Sequence, residues 1–332
     1  MTILTRRSLL RRSALFGAGL LAAPAVARPG ARRSLTLASL FGEDKPETRI
    51  WRLIEKLVEE KLPGRFRFNL IGSAALGGEK EVAEGLRLGS VQASLSTVSA
   101  LAGWVPEVQL LDLPFLFHDA AHLRAVVSGP IGAEIKSKLA AQHFIVPDFI
   151  NYGARHLLTK APVVRPEQLS GTRIRVIQNQ THRRLWSAFG ATPIGLPIPE
   201  TYDALRNGVA EAMDLTKSAY AGFRLYEVAP FLTETGHIWA SGVVYFAAPF
   251  WNALTEEEQE VFQEAAAAGA AAFDAWILED EALSMATAAA QGGEVLQPED
   301  REAWEAGGRS VWGDLAAAVG GMEKIEAARE TL

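Results

Sequence analysis

The chain has 332 residues, enough for one large domain or two ordinary ones, and its 48% hydrophobic and 22% charged residues are a soluble globular balance. There is no Cys, which excludes disulfides, thiolate catalysis and Cys-held metals or clusters. The net charge is −6, and residues 1–27 hold four Arg and no acid, so the remainder stands at 29 basic against 39 acidic residues, or −10. Such a surface argues against nucleic acid, but not against small anions, because a site is set by local charge.

Residues 5–27, TRRSLLRRSALFGAGLLAAPAVA, carry a basic front, a short apolar run, and Ala25-Val26-Ala27 in the form of a cleavage site. The run is too short and too rich in Gly and Pro for a membrane span. It reads as a removable export signal over residues 1–27, and Arg6-Arg7 followed by Ser8-Leu9-Leu10 resembles the twin-arginine kind, which points to the periplasm. GAGLLA, residues 17–22, fits a dinucleotide fingerprint only inside this signal, with no strand ahead of it.

After the signal, RSLTLASLF predicts a strand, and the spacing of Ile50, Leu53, Ile54, Leu57 and Val58 predicts a helix over 47–62, stopped by Pro63-Gly64. RFRFNLIG predicts a second strand, EKEVAEGLRLG a short helix and SVQASLST a third strand, the grammar of an α/β layer on a mostly parallel sheet. The pattern restarts near Phe144 with HFIVPDFINYG, RHLLT and GTRIRV as strands, HRRLWSAFG as a helix, ATPIGL as a strand, 200–207 as a helix and VAEAMDL as a strand. Residues 255–291 differ: Thr255 with Glu258 forms a capping box before an Ala-rich run. A single helix there would extend roughly 55 Å and cross between domains; the alternative is two helices bent near Gly269.

In GTRIRV, alternation puts Arg173 and Arg175 on one face, either solvated on an edge strand or waiting for an anion. No P-loop, nucleophile elbow or HExxH motif occurs after the signal, so no cofactor and no catalytic residue is expected. His118 and His122 with Asp119 are a weak metal signal and read better as a solvated helix start. Trp186, Trp239, Tyr152, Phe41 and Phe223 are mostly core, with one or two free to shape an apolar cavity.

The ordered blocks GSAALGGEKEVAEGLRLGSV, DLPFLF, GARHLLT, GTRIRV, ETYDALRNGV and YEVAPFLTETGH, spread over about 35–268, resemble the substrate-binding proteins of tripartite ATP-independent periplasmic (TRAP) transporters. The resemblance implies a bilobed α/β fold of the periplasmic-binding-protein kind, two α/β domains with a long bridging helix and a ligand cleft between them. Residues 28–152 with about 241–280 would form lobe I, and 153–240 with about 281–332 lobe II, joined by crossing strands and the 255–291 helix. Trp304 and Trp312 in the tail are read as packing against the protein's own lobe rather than against a second copy.

The resemblance also assigns roles. Arg175 would hold the ligand carboxylate and Arg155, in GAR, would support it, while Arg173 stays structural. Leu215 replaces an Asn that adds a donor in many members, Ile198 replaces a stacking aromatic, and Thr97 falls where sialic-acid-binding relatives carry an acid. With Phe41 these imply a fairly apolar monocarboxylate, with Thr97 and Gln178 offering hydrogen bonds; Asp214 keeps open a minor reading with a bound cation. The expected partners are a small organic carboxylate and a TRAP membrane permease. The competing readings are an exported cofactor-containing enzyme and a ligand sensor for a signalling partner.

Overall fold

The computed structural model describes residues 32–331, and the export signal expected over 1–27 lies outside them. Alternating apolar residues at Leu35 and Leu37 build β1 (Arg33–Ala38), which is flanked by parallel β2 (Phe66–Ile71) and β3 (Ala93–Thr97). The chain then runs through β4 (Phe144–Thr159), β5 (Arg173–Val176), β6 (Thr192–Gly195), β7 (Ala212–Thr216), β8 (Phe231–Ala247) and β9 (Glu294–Leu296). The sheet order is β2-β1-β3-β8-β4-β7-β5-β6, with β9 paired to β8.

This sheet is two parallel flanks stitched together by an antiparallel pair. β5 is parallel to both β6 and β7, and β3 and β7 join the centre by antiparallel pairing to β8 and β4. The fragments HFIVPDFINYG and RHLLT are therefore one strand of 16 residues, β4, facing the 17 residues of β8. At ~3.3 Å per residue each runs about 50 Å, long enough to belong to both flanks. β5 is interior rather than an edge, so the solvated-face reading of GTRIRV fails beyond its first residue: Arg173 is exposed and Arg175 buried.

The helix Glu256–Ala290 is continuous over 35 residues, or ~52 Å. The expected capping box starts it: Glu258 N–H donates to Thr255 Oγ1 at 3.2 Å, and Thr255 N–H donates to Glu258 Oε2 at 2.9 Å. The helix is not divided in two at Gly269; there the missing Cβ lets it lie directly against Ile50 and Ile54 of the helix Pro46–Lys61.

Four apolar cores surround the sheet. The segment 281–332, expected with the second lobe, divides between them. Trp304 packs with Trp186 and Leu157 of the second half, whereas Trp312, Leu315, Val319 and Ile325 join Leu110, Leu111 and Leu139 of the first. Both tail tryptophans are buried in their own chain, and their indole N–H groups donate to Val164 O at 3.2 Å and Pro114 O at 3.0 Å. Asp119 does cap a helix, accepting from His122 N–H at 2.8 Å, but His122 is buried rather than solvated, its Nε2 lying 2.9 Å from Ala328 O. No helix among the described residues is long and apolar enough to cross a membrane.

Where β3 meets β8, Gly242 lets the Tyr152 ring cross the strand pair: a Cβ there would strike that ring and the Ser96 carbonyl. Gly242→Ala is expected to cost about 1–3 kcal/mol through overpacking. A lowered midpoint in urea denaturation would show it, and an unchanged midpoint would contradict this packing.

Candidate solute-binding site

The C-terminal ends of the parallel strands β1, β3, β5 and β7 meet at one place, the position where open α/β sheets bind ligands. Ser39 to Phe41 follow β1, Thr97 closes β3, Arg175 and Ile177 come from the end of β5, and Leu215 and Thr216 close β7. They line a chamber of about 60 Å³. A second chamber of about 200 Å³ shares Glu79, Arg175, Ile177 and Ile198 with it and extends to the exposed Gln178.

The two expected arginines are held differently. Arg155 stands on β4 opposite Thr216, so Asp214, two residues along β7, shares its face. Its Nε donates to Asp214 Oδ2 at 2.6 Å and its Nη2 donates to the Asp214 carbonyl at 2.7 Å. His237 Nε2 and His182 Nδ1 lie 3.2 and 3.6 Å from the same carboxylate oxygen. Burial works to raise the Asp214 carboxyl, but Arg155 and the two imidazoles outweigh it and hold it well below the usual carboxylate range.

Arg175 has no such partner. Its Nε donates to Leu196 O at 2.9 Å, and among the described residues nothing accepts from its two terminal nitrogens. Burial and the like charge of Arg155 pull its pKa down to about 10, so it stays cationic at neutral pH. Arg173, by contrast, is used up on the Val209 and Gly208 carbonyls and on Glu211.

Two carboxyls in the chamber escaped the sequence reading. Glu79 opens the helix Glu79–Leu88, where an acid ordinarily serves the helix dipole. Glu81 takes that task by accepting from Gly78 N–H at 3.0 Å, and Glu79 turns inward to accept from Thr97 N–H at 2.5 Å. The acid that seemed missing at Thr97 is thus supplied by a neighbouring element. Burial raises the Glu79 pKa, against the pull of the Thr97 hydrogen bonds, Arg175 and Arg155. Glu47, in the first turn of the helix Pro46–Lys61, is the second acid, and its Oε2 has no hydrogen-bond partner. The doubled acids of GGEKE were the one available sign, since a helix start needs only one of them.

Of the residues singled out from sequence, Arg175, Arg155, Thr97, Leu215, Ile198 and Phe41 line the inner chamber, joined by Tyr152 and Phe223. Gln178 borders only the outer one. Asp214 lies behind Arg155 and lines neither chamber. A cation at Asp214 would face Arg155 at hydrogen-bond distance, so these residues do not fit the cation-assisted reading, and no cluster of three or more metal-binding side chains occurs among the described residues.

Burial pushes Glu47 up to about 7 from 4.5. Between those values folded Glu47 keeps a proton that the unfolded chain has released, so this group costs stability as pH rises through the window. The stability of wild type minus that of Glu47→Gln should therefore fall by about 3 kcal/mol from pH 4.5 to 7.5 and then level off. Urea denaturation across that range measures it, and a pH-independent difference would mean Glu47 titrates normally.

The profile of bacterial extracellular solute-binding protein, family 7 (DctP), matches residues 37–318. A solute-binding protein of Verminephrobacter eiseniae is 31% identical over 247 residues, covering 74% of each chain. A TRAP periplasmic solute-binding protein from Polaromonas sp. JS666, bound to D-erythronate, has 26% identity and a TM-score of 0.87 over 90% of this chain and 99% of that one. Another, from Bordetella bronchiseptica with density assigned to pantoate, has 26% identity and a TM-score of 0.87 over 91% and 100%. With these relatives the exported-enzyme reading gives way. The chain belongs to family 7 of the bacterial extracellular solute-binding proteins, the periplasmic DctP receptors of TRAP transporters, and is a receptor for small organic acids rather than an enzyme.

Proposed function

We propose that this receptor captures a small hydroxylated monocarboxylate and hands it to an ion-gradient-driven TRAP permease, after export by the twin-arginine route. Arg175 carries the proposal: a buried guanidinium whose terminal nitrogens are left for the solute, presenting a planar fork that fits both oxygens of a carboxylate. Arg155 supports rather than competes, since Asp214 already occupies it.

The rest of the wall refines the ligand. Phe41 and Phe223, with ring centroids 4.5 Å apart, combine with Ile198 and Leu215 into the apolar flank expected from sequence. Glu79 adds a strong acceptor beside Arg175, and an acceptor there favours a solute with hydroxyl donors near its carboxylate. A mainly apolar acid would offer no donor to the second carboxylate oxygen of Glu79, the one Thr97 does not engage, in a closed cleft, at a cost. D-erythronate and pantoate, bound by or assigned to the two solved relatives, are both hydroxy acids.

The packing supports two lobes: 32–152 with the returning strand and helix after 241, and 153–240, with residues 311–329 folding back onto the first. β4, β8 and the helix Glu256–Ala290 would carry the motion between them.

Titration calorimetry against aldonates, uronates and branched hydroxy acids tests the reading. Arg175→Ala is expected to keep the fold and lose ~2–5 kcal/mol of binding, up to a few thousandfold. Arg155→Ala should instead cost about 3–5 kcal/mol of stability, by stranding Asp214. Unimpaired binding of the acid by Arg175→Ala would refute the assignment.

A further inference from the structure

Lys45, two residues before Glu47 in sequence, makes no hydrogen bond or ion pair with it. Its Nζ donates to Asp280 Oδ2 at 2.9 Å, Ser284 Oγ at 2.9 Å and Ser218 O at 3.4 Å. Glu47 itself is 4% exposed, lines the inner chamber and has an unpartnered Oε2. Its electrostatic surroundings are Asp280, Lys45 and Asp44, whereas Glu79 feels Arg175 and Arg155, and Tyr152 feels both acids. The chamber therefore holds, besides Arg175 and Glu79, a second buried acid with an oxygen left open and its nearest cation, Lys45, committed elsewhere.

We infer that Glu47 is a specificity-determining residue that reads a second polar group of the solute, other than the carboxylate held by Arg175, accepting a hydrogen bond from an uncharged hydroxyl and rejecting a second carboxylate. This rests on the reading of the chamber as the solute site. A terminal hydroxyl completes the unpartnered Oε2; a terminal carboxylate would bring a like charge against it in a setting with little water to screen the pair. An acid with two carboxylates could satisfy Arg175 with one of them and would still be excluded by the other. Burial, which pushes Glu47 up to about 7, marks how poorly this acid is compensated even before a second anion arrives.

The test uses a matched pair, D-erythronate and meso-tartrate, which differ only in whether the far carbon is a hydroxymethyl or a carboxylate, titrated at pH 8 into wild type, Glu47→Gln and Glu47→Ala. Wild type is expected to prefer erythronate, and Glu47→Gln to narrow that preference by roughly tenfold. Thermal denaturation checks that each variant folds, and the isosteric Gln keeps the packing. An unchanged preference in Glu47→Gln, or equal weakening for both acids, would overturn the inference and leave the Arg175 anchor standing. Wild type binding both acids equally would overturn it as well. If wild type binds neither acid nor any other monocarboxylate, the solute reading itself fails, and this inference falls with it.

Discussion

Two arginines buried within one wall would repel each other and resist desolvation unless a counter-charge answered at least one of them, and Asp214 answers Arg155. Everything the chamber does follows from that allocation. Because Asp214 is committed on one side to Arg155 and on the other to His237 and His182, it offers nothing to Arg175 beyond a distant field. Arg175 is thereby left as the cation whose pairing is incomplete. Moving the carboxylate by one residue along β7 would send it to the other face of the sheet and dissolve the distinction.

The same carboxylate belongs to a polar chain that runs between the two halves of the molecule. Ser99 donates to Asp112, His182 lies 3.9 Å from Asp112 and 3.6 Å from Asp214, and Thr235 Oγ1 is 2.8 Å from His237 Nδ1. Beside it, Asn179 Nδ2 donates to Ser99 O at 3.3 Å, and Thr181 N–H and Oγ1 both donate to Gln109 Oε1 at 3.2 Å. These contacts dock the start of the helix Gln180–Ala188 onto residues 99–112, so Asp112 in the DLPFLF block serves the joint between halves. Polar joints of this kind can separate into water at less cost than an apolar core, which would suit the lobe motion proposed above.

Local pattern was enough to read β1 to β3, β5 to β7, the helix Pro46–Lys61 and the cap of the long helix, because each depends on spacing within a few residues, but it split β4 in two and gave neither β8 nor β9. The blocks shared with the TRAP receptors added what spacing cannot give, the placement of Arg175, Arg155, Ile198 and Leu215 around one cavity. What stayed hidden depended on allocation among distant groups. An acid in the first turn of a helix is ordinary, and only the three-dimensional division of labour between Glu81 and Glu79 shows that one is spare. Likewise Asp214 looked available to a cation because its partners come from β4, β8 and a helix far away in the chain. The return of Trp312 to the first half was invisible for the same reason, since its partners lie some two hundred residues earlier.

The shared wall between the chambers has a kinetic meaning. Arg175 and Glu79 border both the inner chamber and the larger outer one, and the outer one leads to exposed Lys80 and Gln178. Arg175 and Glu79 therefore face the second chamber as well, whereas the Phe41 and Phe223 rings line only the first. Dissociation would thus begin with rehydration of an ion pair, the step that gains most from solvent, while the apolar flank still holds the molecule in place. If the chamber holds the solute as proposed, the acid would leave charge first.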